Sequence, residues 1–227
     1  TGIDLGNQFN GALTLTNNDM STATNDVITF GIQLASGTAT ITASNLFSNS
    51  DTGIGINALG GNHTLGAIDS DFNTFDDFAT GLQVADGATV NGSYNKFESN
   101  TKDIDNNEDS FIEILKSWFG HAGGPKDDTN QGSGGVVEGK VEYSPFITTD
   151  DMNKNNLDGV IVIKDTNDDV LGHATTLAEA MTTLTTLIGN GAAPTKAELK
   201  RNFTHSREAD IDFSVDGITY ECTDGQT

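Results

Sequence analysis

Asp69, Asp71, Asp76 and Asp77 form the acidic group best placed to do chemistry in this 227-residue chain. Two carboxyl groups held close together can divide acid and base roles in breaking a glycosidic bond. The simpler reading of the four is a solvated acidic loop. Residues 1–101 hold a single basic side chain, Lys96, and no Arg, so few cations are available to serve such a site. A second chemistry is metal binding. Asp151, Asn153, Asn155 and Asp158 place oxygen ligands at near-alternate positions, a pattern that suits a hard cation such as calcium. The Glu that would close a calcium loop at its twelfth position is missing, and Val162 stands there. Asp165, Asn167 and Asp169 form another alternating set, and both stretches also read as ordinary polar turns. Calcium is the one cofactor the sequence suggests. His63, His121, His173 and His205 are scattered without metal-ligand spacing, and Cys222 is the only cysteine.

Composition narrows the partners. Thirty-three acidic residues against 11 basic ones give a net charge of −22, which repels phosphate backbones and anionic lipid surfaces. Nucleic acid is therefore not an expected partner. No apolar run approaches the length of a membrane-spanning helix, so membrane insertion is not expected. Hydrophobic residues make up 35%, with 26 Gly and only 3 Pro, a mix that suits a turn-rich β architecture better than a helical bundle. The chain opens mid-pattern at Thr1-Gly2-Ile3-Asp4-Leu5, as expected for a processed protein or a piece of a longer one.

The elements that must position these residues are set by a repeat. Asn-x-Phe occurs as Asn45-Leu46-Phe47, Asn73-Thr74-Phe75 and Asn95-Lys96-Phe97. Eight residues after each Asn comes Gly53-Ile54, Gly81-Leu82 or Asp103-Ile104. The phase reaches back to Gly31-Ile32-Gln33-Leu34 and Gly2-Ile3-Asp4-Leu5, and forward to Phe119. Between these anchors lie alternating pieces such as Leu13 with Leu15, Ala39 with Ile41, and Ile112 with Ile114. A repeat of about 22 residues with several short strands is one coil of a parallel β-helix. Like residues then lie above like, about 4.8 Å apart. Phe47, Phe75, Phe97 and Phe119 are expected to form an interior stack, and Asn45, Asn73 and Asn95 an amide ladder at one bend. The longer coil is expected to carry its extra residues as a loop near 58–62.

The stretch Ser117-Trp118-Phe119-Gly120-His121-Ala122-Gly123-Gly124-Pro125, followed by Gly139-Lys140-Val141-Glu142-Tyr143-Ser144-Pro145-Phe146, resembles a closing motif of pectate-lyase-like right-handed β-helix proteins. Ser117 stands where that pattern has Asn, and Phe119 and Phe146 where it has Trp. The resemblance covers residues 1–147 and implies the right-handed β-helix fold, in which the repeat gives about five coils. It says little of activity, because such proteins include surface-layer and adhesive proteins, polysaccharide lyases and hydrolases, and phage tailspikes.

Beyond residue 147 the pattern changes to a small α+β region, 148–227, expected to cap the coil or mediate assembly. Strands are expected at 160–163 and 170–173. A capping box at Thr176 should open a helix with Leu177, Met181, Leu184 and Ile188 on one face. A second capping box at Thr195 predicts a short helix to about Asn202, and Ile211–Cys222 reads as a hairpin turning at Asp216-Gly217. The whole is expected to be mainly β: a non-enzymatic extracellular structural or adhesive protein, such as a surface-layer, fibre or filament subunit, with a carbohydrate-facing side. The alternative is a polysaccharide lyase or hydrolase, or a tailspike-type glycan binder. A homo-oligomer or filament is expected, at the cell surface or on a virion.

Overall fold

The computed structural model describes residues 3–5, 12–21, 29–42, 45–49, 51–66, 72–85, 87–127, 132–152, 157–158, 161–167, 170–174, 177–199 and 217–222. The described strands come in threes: β1 (Ile3–Leu5), β2 (Ala12–Leu15), β3 (Asp19–Ser21); β4 (Phe30–Leu34), β5 (Thr38–Ile41), β6 (Leu46–Ser48); β7 (Ile54–Ala58), β8 (Asn62–Leu65), β9 (Asn73–Asp76); β10 (Thr80–Val84), β11 (Thr89–Ser93), β12 (Asn95–Glu98); β13 (Lys102–Asn106), β14 (Ile112–Leu115), β15 (Trp118–Phe119). β16 (Val136–Glu138) and β17 (Val141–Glu142) begin another circuit. Corresponding strands stack in parallel into three sheets, β1-β4-β7-β10-β13-β16, β2-β5-β8-β11-β14-β17 and β3-β6-β9-β12-β15. The protein is a parallel β-solenoid with a small C-terminal α+β region.

Period-2 alternation turns the same positions inward at every level. The first sheet contributes Ile32, Ile56, Leu82 and Ile104, and the second Ala39, His63, Val90 and Ile112, all buried. The third sheet stacks Phe47, Phe75, Phe97 and Phe119, with ring centroids 4.8, 5.1 and 5.5 Å apart and planes within 17° of parallel. At the bend before these rings runs the amide ladder. Asn45 Nδ2 donates to Asn73 Oδ1 at 2.8 Å, and Asn73 Nδ2 to Asn95 Oδ1 at 3.1 Å. Each of these amides also donates to a backbone carbonyl, Leu15, Ile41 or Leu65. Asn18 extends the ladder at one end and Ser117, which accepts from the Asn95 N–H through Oγ at 3.0 Å, at the other.

Two details of the repeat differ from expectation. The glycine in register with Gly31 and Gly81 is Gly55, not Gly53. A Cβ on Gly55 would lie 2.5 Å from the Gly81 carbonyl oxygen and 3.1 Å from the Phe75 ring, so close approach selects glycine there. The turn before it, with Asp51 in the left-handed region at φ 55°, absorbs two additional residues. The longer coil carries most of its insertion between β8 and β9, where residues 67–71 lie outside the described ones, and not near 58–62, where three residues join β7 to β8.

In the C-terminal region, β18 (Phe146–Ile147) pairs antiparallel with β19 (Leu157–Asp158). β20 (Ile161–Lys164), β21 (Val170–Ala174), β22 (Lys196–Leu199) and β23 (Thr219–Cys222) form a sheet in the order β21-β20-β22-β23, with β22 and β23 parallel. Helix α1 (Leu177–Gly189) buries Ala180 and Leu184, while Ile188 is 45% exposed, so the buried face is rotated from the expected one. The capping box at Thr195 does not open a helix. Its residues form β22, bonded on both sides, with Thr195 N–H donating to the Lys164 carbonyl at 2.9 Å and its own carbonyl accepting from Thr219. Burial of Ala197 and Glu198 against β20 outweighs the local helical signal. The first strand of the expected hairpin, 211–215, lies outside the described residues.

Candidate functional site

The outer face of the second sheet is built from positions that alternate with its buried ones. One column runs Thr14, Thr40, Thr64, Asn91, Glu113, Glu142, each opposite the next in register. A second, two residues earlier on each strand, runs Thr38, Asn62, Thr89. Neighbours lie about 4.8 Å apart along a column and about 6.6 Å apart along a strand. Among the described residues, no hydrogen bond engages the side chains of Thr14, Thr38, Thr40, Thr64, Thr89 or Asn62. β2, β5, β8 and β11 contain no Asp, Glu, Lys or Arg. A neutral grid of available hydroxyls and amides thus sits on a chain of net charge −22, with threonine branching restricting each rotamer.

The grid ends at a cleft of about 190 Å³ lined by Phe111, Glu113, Glu142, Lys164, Lys196 and Glu198, where the solenoid meets the C-terminal sheet. Lys164 Nζ lies 3.0 Å from Glu142 Oε2 on β17 and 3.0 Å from Glu198 Oε2 on β22. Lys196, cross-strand from Lys164, approaches Glu198 Oε1 at 3.6 Å. Lys140 sits over the Phe111 ring, 5.9 Å from its centroid. Burial pushes the Lys164 ammonium down, but its two carboxylate partners more than offset this and hold it above its ordinary value. Lys164 therefore stays charged and is not poised as a base. The charged cluster was not legible in sequence, because its members come from separate strands with no shared spacing.

The expected acidic group divides. Asp69 and Asp71 lie outside the described residues. Asp76 ends β9 and Asp77 sits at the corner after it, where Asp51 N–H donates to the Asp77 carbonyl at 2.7 Å. Burial, then the charges of Asp76 and Asp51, raise the Asp77 carboxyl. Asp51, far from them in sequence, joins Asp76 in this effect because its turn packs against that of Asp77. Of the calcium candidates, Asn153, Asn155 and Asp169 lie outside the described residues. Asp151 Oδ1 accepts from Thr149 Oγ1 at 2.6 Å, Asp165 Oδ1 accepts from the Asn167 N–H at 2.7 Å, and the Asp158 backbone belongs to β19. Among the described residues, no group of three or more His, Cys, Asp or Glu could hold a metal.

Comparison with protein-family models, curated proteins and solved structures finds no match to this chain. The solenoid rests on its own structure, and the pectate-lyase-like affiliation suggested by Ser117–Pro125 has no relative behind it. The motif residues nevertheless have clear roles. Phe119 ends the interior stack against Tyr143, and Trp118 faces outward beneath Ile147 and Met152, with Phe72 and Tyr94 beside it. Tyr143 donates through its hydroxyl to Asp127 Oδ2 at 2.6 Å and stands 3.2 Å from His173 Nδ1, tying the solenoid end to β21. His63 is also structural: Nδ1 accepts from the Ala39 N–H at 3.1 Å and Nε2 donates to the Gly60 carbonyl at 2.8 Å.

Proposed function

We propose that the chain is a non-enzymatic extracellular structural or adhesive protein that holds neutral carbohydrate on the outer face of its second sheet. The observation that carries this reading is the uncharged grid, Thr14, Thr38, Thr40, Asn62, Thr64, Thr89 and Asn91, on an otherwise acidic molecule. A charge of −22 disfavours acidic glycans, while free hydroxyls and amides offer both donors and acceptors to sugar hydroxyls. Phe111 at the end of the grid offers a partly exposed ring for stacking.

The end cleft favours a second reading, a polysaccharide lyase or hydrolase, since Glu113, Glu142 and Glu198 line it together. Against that stands the commitment of Glu142 and Glu198 to Lys164. The two readings separate on product analysis after incubation with neutral and acidic polysaccharides, with and without calcium. Retention of intact polysaccharide is expected. Cleavage abolished by Glu142→Gln, or by Asp76→Asn with Asp77→Asn, would establish the enzyme instead.

A further inference from the structure

Asp103 breaks the glycine ladder of the first sheet. Gly31, Gly55 and Gly81 stand in register, and Asp103 follows opposite Gly81. The next strand then slips: Lys102 pairs with Val136 and Ile104 with Val137, which leaves Asp103 as a bulge. The side chain is 1% exposed and packs against Gly135 of the closing turn, where a Cβ would collide with the Asp103 carboxyl. Asn100 Nδ2 donates to Oδ1 at 3.0 Å, and Oδ2 has no hydrogen-bond partner. Among the described residues, no cation balances this carboxyl. On its own strand Lys102 is engaged outward with Asp105 at 3.1 Å and with Glu138 of the next strand at 2.6 Å. β10 on the other side brings Gly81 and Gln83, no titratable group, and Glu98 of β12 is paired with Lys96 at 3.0 Å.

We propose that Asp103 is a protonation-controlled latch on the closing turn of the solenoid: as a neutral acid it lets Gly135 seat against it, and its ionisation loosens residues 132–138. A buried, half-bonded carboxylate without a counter-ion is costly, whereas the neutral acid is tolerated. Burial pushes this carboxyl up to about 7, the Asn100 bond offsetting part of the rise. The segment at stake is tied to the rest of the molecule. Gly135 N–H donates to the Phe119 carbonyl, Val137 N–H to the Lys126 carbonyl, and Asp127 holds the Tyr143 hydroxyl. Loosening the latch thus weakens the tie between the solenoid end and the C-terminal sheet.

The folded carboxyl keeps its proton in a range where the open segment has lost it. Closure is therefore tightest in acid and weakens as pH rises from 3.8 toward about 7, levelling off above. Native-state hydrogen exchange on the full chain, corrected for intrinsic rates, reads this at the Gly135 and Val137 amides. Their opening constant should rise roughly tenfold per pH unit within that window. Asp103→Asn should flatten the profile, and Asp103→Gly, which restores the ladder residue, should do the same if the Asn variant folds poorly. The carbon resonance of the Asp103 carboxyl should report the neutral acid at pH 5. A flat wild-type profile, an unchanged slope in either variant, or an ionised carboxyl at pH 5 would overturn the latch.

Discussion

Phe75 is fully buried between the Phe47 and Phe97 rings, at 4.8 and 5.1 Å. Neither neighbour can move into its space without leaving its own place in the stack. Phe75→Ala is expected to cost about 3–5 kcal/mol, measured by denaturant unfolding; a loss below 1 kcal/mol would mean the stack is dispensable. His63 sets a different dependence. Burial holds its imidazole below the ordinary 6.5, and Nδ1 must stay bare to accept the Ala39 N–H. The unfolded chain takes up a proton before the folded one, so its contribution is full above 6.5 and falls away as pH drops below that value. His63→Gln should flatten the acid limb of the stability profile, and an unchanged limb would assign it elsewhere. Ladder residues such as Asn73 and Phe75 were readable in sequence because each circuit puts the same chemistry at the same bend. Asp103 was placed by the repeat, at a position otherwise held by glycine, but the repeat gives no sign that its carboxyl is buried; His63 carries no periodic signal, and the burial of both emerged only in the fold.

At the scale of elements, the joint between β17, β20 and β22 is held by Lys164 between Glu142 and Glu198, whose side chains are 11%, 4% and 9% exposed. Removing the cation takes away the ammonium that bridges these two buried carboxylates. Lys164→Ala is expected to destabilise the protein by about 3–5 kcal/mol, whereas Lys164→Met with Glu142→Gln and Glu198→Gln should recover much of the loss. Equal stability of Lys164→Ala and wild type in thermal melts would show that the joint does not depend on this contact. β22 also shows where sequence reasoning stops. Thr195-Lys196-Ala197-Glu198 has the form of a capping box, but Glu198 is taken by Lys164 and the backbone by β20 and β23. Helix α1, by contrast, was legible in its extent because its pattern spans several turns, though packing on the sheet chose Ala180 over Ile188.

At the scale of the whole molecule, two ends differ. The C-terminal end is closed by Tyr143, Phe146 and the Lys164 joint. Among the described strands, β1, β2 and β3 each pair on one side only, and such edges invite further strands. Self-association of the chain has to overcome a charge of −22, so it should strengthen with salt. Light scattering of concentrated protein is expected to give a mass above 23.9 kDa at physiological salt, and a monomer at every concentration and salt would contradict it. The neutral face of the second sheet should hold neutral polysaccharide. Affinity gel electrophoresis, run through gels containing either a neutral or an acidic polysaccharide, compares wild type with a Thr40→Glu, Thr64→Glu double variant. Retardation of the wild type by the neutral polysaccharide alone, lost in the variant while its unfolding midpoint is kept, is the predicted result. Retardation by the acidic polysaccharide, or equal retardation of the two proteins by the neutral one, each relative to its own mobility in a polysaccharide-free gel, would contradict the neutral carbohydrate face.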